Sequence, residues 1–153
     1  MRYDVSLLET LQTDMKEAMK ARQADRLGVI RMLISDIKKI LIDGQKSEIT
    51  EDEEIAFLST QAKRRRDSID QYTKGAREDL AAIEQAELAI IETYLPQQLT
   101  VDEATDITRE VIAAVGATSI KDMSKVMAGL MPRLKGRFPG KDVKPILESL
   151  LNG

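Results

Sequence analysis

The sequence contains no cysteine, no histidine and no tryptophan among its 153 residues. Without cysteine there is no disulfide framework, no thiolate nucleophile and no zinc knuckle. Without histidine, hydrolytic triads and the common transition-metal sites lose their usual parts. Tyrosine (3) and phenylalanine (2) are too few to predict an aromatic platform that stacks nucleic-acid bases. We therefore predict no catalytic residue, no metal site and no cofactor.

Long hydrophobic runs are also lacking. No run approaches the roughly 20 apolar residues that span a bilayer. The opening stretch, MRYDVSLLETLQTDMKEAM, carries charges within its apolar pattern, which is unlike a signal peptide. The composition, 42% hydrophobic and 32% charged with a formal net charge of −3, is typical of a globular chain. We therefore predict a soluble cytoplasmic protein that does not associate with a membrane.

Helix-start signals are abundant. Capping boxes, in which side chains satisfy the free N–H groups of a helix start, begin at Ser6, Thr50 and Thr100, with a weaker one at Ser119. Apolar residues recur after them at three- and four-residue steps, and no segment alternates apolar and polar residues as a strand does. The pattern predicts an all-α fold.

A domain boundary is predicted around Pro96, which ends one helix four residues before a new capping box opens. Residues 1–96 are expected to form an N-terminal four-helix unit. Residues 97–153 are expected to form a smaller three-helix C-terminal domain. Gly75 and Gly116 are predicted to end helices.

The helical stripes predict which side chains face inward. Met19 is assigned to the inner face of the first helix and Ile83 to that of the fourth. Met123, Met127 and Met131 follow one another at i, i+4 and i+8, and we interpret them as core, with a docking groove as the alternative.

Two charged runs receive simple interpretations. Lys63-Arg64-Arg65-Arg66 wraps around a helix, because consecutive residues point about 100° apart. We predict a solvated face with ion pairs from Lys63 to Asp67 and from Arg66 to Asp70, a phosphate contact being the alternative. The acidic run at residues 51–54 lies in a first helical turn and is interpreted as capping rather than as a metal site.

Positive charge collects near the carboxyl end. The chain up to Pro96 has 15 Lys and Arg against 19 Asp and Glu, and the remainder has 8 against 7. The stretch KVMAGLMPRLKGRFPGKDVK, residues 125–144, has six basic residues and one acidic residue. Gly136 and Gly140 flank a connection next to a helix start, where free N–H groups favour a phosphate. Lysines that merely aid solubility would give the same pattern, and both interpretations stay open.

Three segments in order, TQAKRRRDSIDQY, ELAIIETYLPQQLT and KDMSKVMAGLMPRLKGR, resemble the GatB/YqeY family over nearly the whole chain. The resemblance is to YqeY-type stand-alone proteins, which are similar to the tail of the B subunit of the aspartyl/glutamyl-tRNA amidotransferase. It implies a helical domain joined to a three-helix domain, and a role for the latter in holding tRNA. The chain departs from the family pattern at Ser124, at Phe138-Pro139 and at Lys144.

The resemblance and the charge together predict a non-catalytic accessory protein that binds the backbone of tRNA or another structured RNA. A tRNA-metabolism protein is predicted as a further partner. Binding to DNA is not expected. The predicted RNA-binding residues are Lys125, Arg133, Lys135, Gly136, Arg137, Lys141 and Lys144. One alternative is a carbon–nitrogen ligase or subunit with glutamine as amido donor, whose acid–base work would fall to residues such as Glu84, Glu87 or Lys125. A protein-interaction module is another.

Overall fold

The computed structural model describes residues 5–152, and this part of the chain is helical and contains no β-strand. Its seven α-helices are α1 (Leu7–Lys20), α2 (Ala24–Asp43), α3 (Glu51–Lys74), α4 (Glu78–Glu92), α5 (Val101–Val115), α6 (Met123–Leu134) and α7 (Val143–Asn152). Short 3-10 turns, Ile120–Asp122 and Gly140–Asp142, lead into α6 and α7. The all-α prediction is confirmed. Within the described residues no helix is both long and apolar enough to span a membrane.

The predicted helix starts are confirmed by their hydrogen bonds. The hydroxyl of Ser6 accepts from the Glu9 N–H at 3.1 Å. Thr50 and Thr100 each form a complete capping box, with the glutamate three residues later returning to the cap's own N–H. A further box at Ser119 begins the turn before α6. Gly116 ends α5 in the left-handed conformation (φ 70°), which glycine adopts without steric cost.

The chain divides into two compact units, Met1–Leu95 and Pro96–Gly153, each with its own apolar core. In the first unit α1 packs on α2, α3 packs on α4, and α4 also contacts α2. The fully buried side chains of this core are Leu11, Ile30, Leu33, Ile37, Leu58 and Ile91.

Polar contacts join distant parts of the first unit. The buried carboxylate of Glu54 accepts from the Leu7 N–H at 2.6 Å, so a side chain from α3 satisfies the first turn of α1. The hydroxyl of Tyr94 donates to Asp14 at 2.7 Å. Burial and this carboxylate raise the pKa of the Tyr94 phenol, so it remains a hydrogen-bond donor throughout the neutral range.

In the second unit α5 packs against α6 and α7. Val126, Leu130 and Leu147 are completely buried at the centre of this core. Gly129 lies where α5 and α6 approach closely, since a Cβ placed there would come within 3.1 Å of a methyl group of Val111. A glycine at this position lets the two helices pack at short range.

Several sequence predictions about individual side chains were wrong. Met19 and Ile83, both assigned to inner faces, are 50% and 57% exposed. Met131 is also exposed, whereas Met123 and Met127 pack against the core as predicted. A helical stripe indicates which face is apolar but not how far a neighbouring helix extends over it.

Candidate nucleic-acid interface

The basic segment, residues 121–144, contains the whole of α6, the connection that follows it and the start of α7. Pro132 lies inside α6, which ends two residues later at Leu134. Gly136 then reverses the chain with a φ of 72°. Phe138 is buried in the core of the second unit, so the connection is held to the helices and does not project as a free loop.

Two of the predicted RNA-binding residues contact the chain just after Pro96. The Arg137 guanidinium donates from Nε to the Gln97 carbonyl at 3.1 Å, and the Leu99 N–H donates to the Arg137 carbonyl at 2.8 Å. The Gln98 side-chain amide donates to the Gly136 carbonyl at 2.6 Å. Gly136 and Arg137 therefore hold the segment that leads into α5, a structural role that sequence reasoning missed because the partners lie about 40 residues apart.

Two other predicted cations have ion-pair partners at the surface. Arg133 Nη2 lies 2.8 Å from a carboxylate oxygen of Glu110 on α5. Lys144 Nζ lies 3.8 Å from Glu148 one turn later on α7. Exposed pairs of this kind contribute roughly 0–1 kcal/mol, so a phosphate can compete for either cation.

The remaining predicted cations are lysines that face solvent. Lys125 on α6, Lys135 at the end of α6 and Lys141 before α7 are all exposed. Lys125 and Lys141 make no ion pair within 4.0 Å with any residue between positions 5 and 152. Their exposure makes these three lysines accessible to an external anion.

One acidic residue of the basic segment is occupied by capping. The carboxylate of Asp122 accepts from the backbone N–H groups of Thr118 and Ser119, at 2.9 and 3.3 Å. These hydrogen bonds lower the pKa of Asp122, with a smaller contribution from Lys125. The negative charge of Asp122 is thus turned toward its own backbone.

The other basic run, Lys63–Arg66, lies on α3 and forms ion pairs within the first unit. The predicted Lys63–Asp67 pair is present at 2.9 Å. Arg65 is only 12% exposed and lies 2.8 Å from Glu87 and 3.6 Å from Glu84. The prediction of a solvated Arg65 was therefore wrong.

Arg66 pairs with Glu92 on α4, at 3.3 Å, and not with Asp70 as predicted. The α3–α4 contact thus uses two of the four consecutive cations. It also engages Glu84 and Glu87, the carboxylates considered for acid–base chemistry. In the described part of the chain no cluster of three or more acidic residues could hold a metal ion.

Comparison with known proteins gives one family and a group of mitochondrial relatives. The family model described as "Yqey-like protein" matches residues 8–151. A relative named altered inheritance of mitochondria protein 41, mitochondrial, from Meyerozyma guilliermondii is 39% identical over 107 residues, which cover 69% of this chain and 53% of the relative. Its namesake from Saccharomyces cerevisiae is 33% identical over 113 residues, 72% of this chain and 60% of the relative. The chain spans about half the length of such relatives.

Proposed function

The chain belongs to the Yqey-like protein family, and we propose that it is a non-catalytic accessory protein that binds the backbone of tRNA or another structured RNA. The surface that makes the contact is the basic segment of the second unit. The RNA is held by charge and shape, and this chain makes or breaks no bond in it.

The observation that carries this proposal is the exposure of Lys125, Lys135 and Lys141 on one small unit. Lysines on α6, on its C-terminal end and before α7 suit contacts with several separate phosphates, because each ammonium group acts as a compact point charge on a flexible stem. The scarcity of aromatic residues favours recognition of shape and backbone over base stacking.

A cytoplasmic location, predicted from the sequence, is also part of the proposal. Two relatives described above carry the word mitochondrial in their names. We predicted a cytoplasmic protein, and binding of a structured RNA is compatible with either compartment.

The test is a triple charge reversal, Lys125→Glu, Lys135→Glu and Lys141→Glu, in the full chain. Arg137 is left in place because it holds the segment before α5. Binding of transcribed tRNA is measured by fluorescence anisotropy over a series of salt concentrations. We expect affinity to fall at least tenfold at low salt. The salt slope should also become shallower, since about 0.7–0.9 in log–log slope is lost for each phosphate contact removed.

The matched control reverses three exposed lysines of the first unit, Lys16→Glu, Lys20→Glu and Lys38→Glu. It changes the net charge by the same amount and should bind tRNA within about threefold of the unaltered chain. Equal loss in both variants would mean that only total charge matters. An unchanged affinity in the first variant, with its helical content intact by circular dichroism, would contradict the proposal.

A further inference from the structure

A groove of about 500 Å³ lies between α2 and α3 in the first unit. It exists because α2 packs on α1 and α4 while α3 packs on α4, so that α2 and α3 face each other across a gap. The gap is bridged at one end, where the Gln61 amide donates to Asp36 at 3.3 Å and the Arg65 guanidinium contacts the sulfur of Met32.

Apolar side chains line much of the groove. Ile40 comes from α2, Ile49 from the connection, and Ala56 and Phe57 from α3. Ile40, Ile49 and Phe57 are half-buried and line the groove, and Ile49 and Phe57 also pack against the core of the first unit. The volume of this open groove, whose lining combines apolar with polar side chains, lies in the range of small-molecule sites.

The charges around the groove are unequally available. Asp36 accepts a hydrogen bond from the neutral Gln61 amide and keeps its negative charge, whereas Glu53 is paired with Lys46 and closes the Thr50 capping box. These contacts lower the pKa of Glu53, with the Lys46 bond the largest cause.

The two cations that line the groove have no such partner. Lys39 on α2 and Arg64 on α3 are exposed and make no ion pair within 4.0 Å in the part of the chain that the structure describes. Beside its apolar wall the groove therefore has two cations without an ion-pair partner and, among the described residues, one lining carboxylate, Asp36, that is likewise in no ion pair.

We propose that this groove binds a small amphipathic anion, a carboxylate with an apolar body of medium-chain length. The apolar body lies against Ile40, Ile49 and Phe57, and the carboxylate pairs with Arg64 and Lys39. Charge complementarity selects this occupant, because a neutral ligand leaves both cations unused and a cationic ligand meets them at the rim. This inference is independent of RNA binding, which uses the second unit.

The test is an NMR titration of the ¹⁵N-labelled full chain with sodium decanoate. Saturable shifts are expected at the backbone amides of Ile40, Phe57 and Arg64. A series of shorter saturated carboxylates should bind more weakly, by about fourfold for each buried methylene removed. Decanol, which has the same chain without the charge, should bind at least tenfold more weakly than decanoate.

Paired variants separate the groove from general surface charge. Lys39→Gln with Arg64→Gln should weaken decanoate binding at least tenfold. The neighbouring pair, Lys38→Gln with Lys63→Gln, removes the same charge from the same two helices outside the groove lining. Its affinity for decanoate should stay within twofold of that of the unaltered chain. A second variant, Ala56→Trp, should fill the groove and abolish the shifts.

Three outcomes would overturn the proposal. They are the absence of saturable shifts at these amides, equal binding of decanol and decanoate, and equal weakening in the two paired variants. The spectrum of each variant away from α2 and α3 serves as the check on folding.

Discussion

At the scale of single residues, four consecutive cations have quite different surroundings. Lys63 is 68% exposed and pairs with Asp67 on its own helix, whereas Arg65 is 12% exposed between α3 and α4. The difference arises because successive residues rotate by about 100° around α3, so only some of them face the neighbouring helix. A guanidinium suits the inner position, since it donates to Glu87, lies 3.6 Å from a second carboxylate on Glu84, and tolerates burial of its stem.

Replacing Arg65 should therefore cost stability. Arg65→Gln leaves Glu87 and Glu84 close together without their shared cation, and we expect the free energy of unfolding to fall by about 2 kcal/mol. Urea unfolding followed by circular dichroism measures it. Lys63→Gln, on the same run, should change it by less than about 0.5 kcal/mol. Equal effects would mean that Arg65 is as solvated as Lys63.

A second prediction concerns pH. Hydrogen bonds from Thr100 lower the pKa of Glu103 below its usual 4.5, with a minor contribution from Arg137. A lowered folded-state pKa contributes stability at pH values well above 4.5, and this contribution is lost as the pH falls through 4.5 and below. Glu103→Gln keeps an acceptor for the capping box but does not titrate.

Thermal melts of the two proteins across a pH series test this prediction. The unaltered chain should be the more stable at neutral pH, and its advantage over Glu103→Gln should shrink in acid. An advantage that stays constant, or grows, as the pH falls would show that the charge of Glu103 adds nothing to the cap.

The residue scale is also where prediction from the sequence reached its limit. The pairs Arg65–Glu87, Arg66–Glu92 and Arg137–Gln97 join positions 22 to 40 residues apart. Their formation depends on which faces of two helices meet, and the helical pattern alone does not specify this. The i,i+4 pair Lys63–Asp67 was predicted correctly because its partners are neighbours on one helix.

At the scale of helices, local signals were sufficient for α3 and α5. The prediction that Pro96 ends the fourth helix was wrong by four residues, since α4 ends at Glu92. The predicted bounds of α3 and α5 match those observed, because a Thr–Glu box starts each helix and a glycine follows its end. The turn before α6 begins at Ser119, as expected, although its first residues are 3-10 in form. Such signals act within four residues, so they can be read without knowledge of the tertiary packing.

Two helix-interior glycines should respond differently to alanine. A methyl group added at Gly28 in α2 would meet no atom of another element within 4 Å, so Gly28→Ala should stabilise the chain by about 0.5–1 kcal/mol through backbone entropy. Gly129→Ala gains the same helix propensity, but its added methyl group would lie 3.1 Å from a methyl group of Val111. This substitution should therefore stabilise the chain less than Gly28→Ala does, or destabilise it. Thermal melts of both variants compare them. A larger gain at Gly129 than at Gly28 would contradict the close approach of α5 and α6.

At the scale of the complete chain, the two units have separate apolar cores, one built from α1–α4 and the other from α5–α7. The basic segment and its exposed lysines lie entirely in the second unit. A core that closes on itself is the physical requirement for independent folding. Cutting the chain between the units should therefore give a second unit that folds and binds RNA without the first.

We expect a fragment of residues 96–153 to fold alone. It should show a helical circular dichroism spectrum and a cooperative thermal transition, and it should bind tRNA within about fivefold of the full chain. A fragment of residues 1–95 should bind tRNA at least tenfold more weakly. An unfolded 96–153 fragment would show that the second core needs the first unit, and strong binding by residues 1–95 would place the RNA contact elsewhere.

The contacts of Gly136 and Arg137 with the segment before α5 have a consequence for biosynthesis. Gln97 and Gln98 are translated 40 and 38 residues ahead of their partners. On the ribosome, the nascent first unit can fold while this junction still lacks its hydrogen bonds. The hydrogen bonds that join Gln97 and Gln98 to Arg137 and Gly136 can form only when the end of α6 has also emerged from the ribosome. A truncated product that stops before Gly136 therefore lacks them.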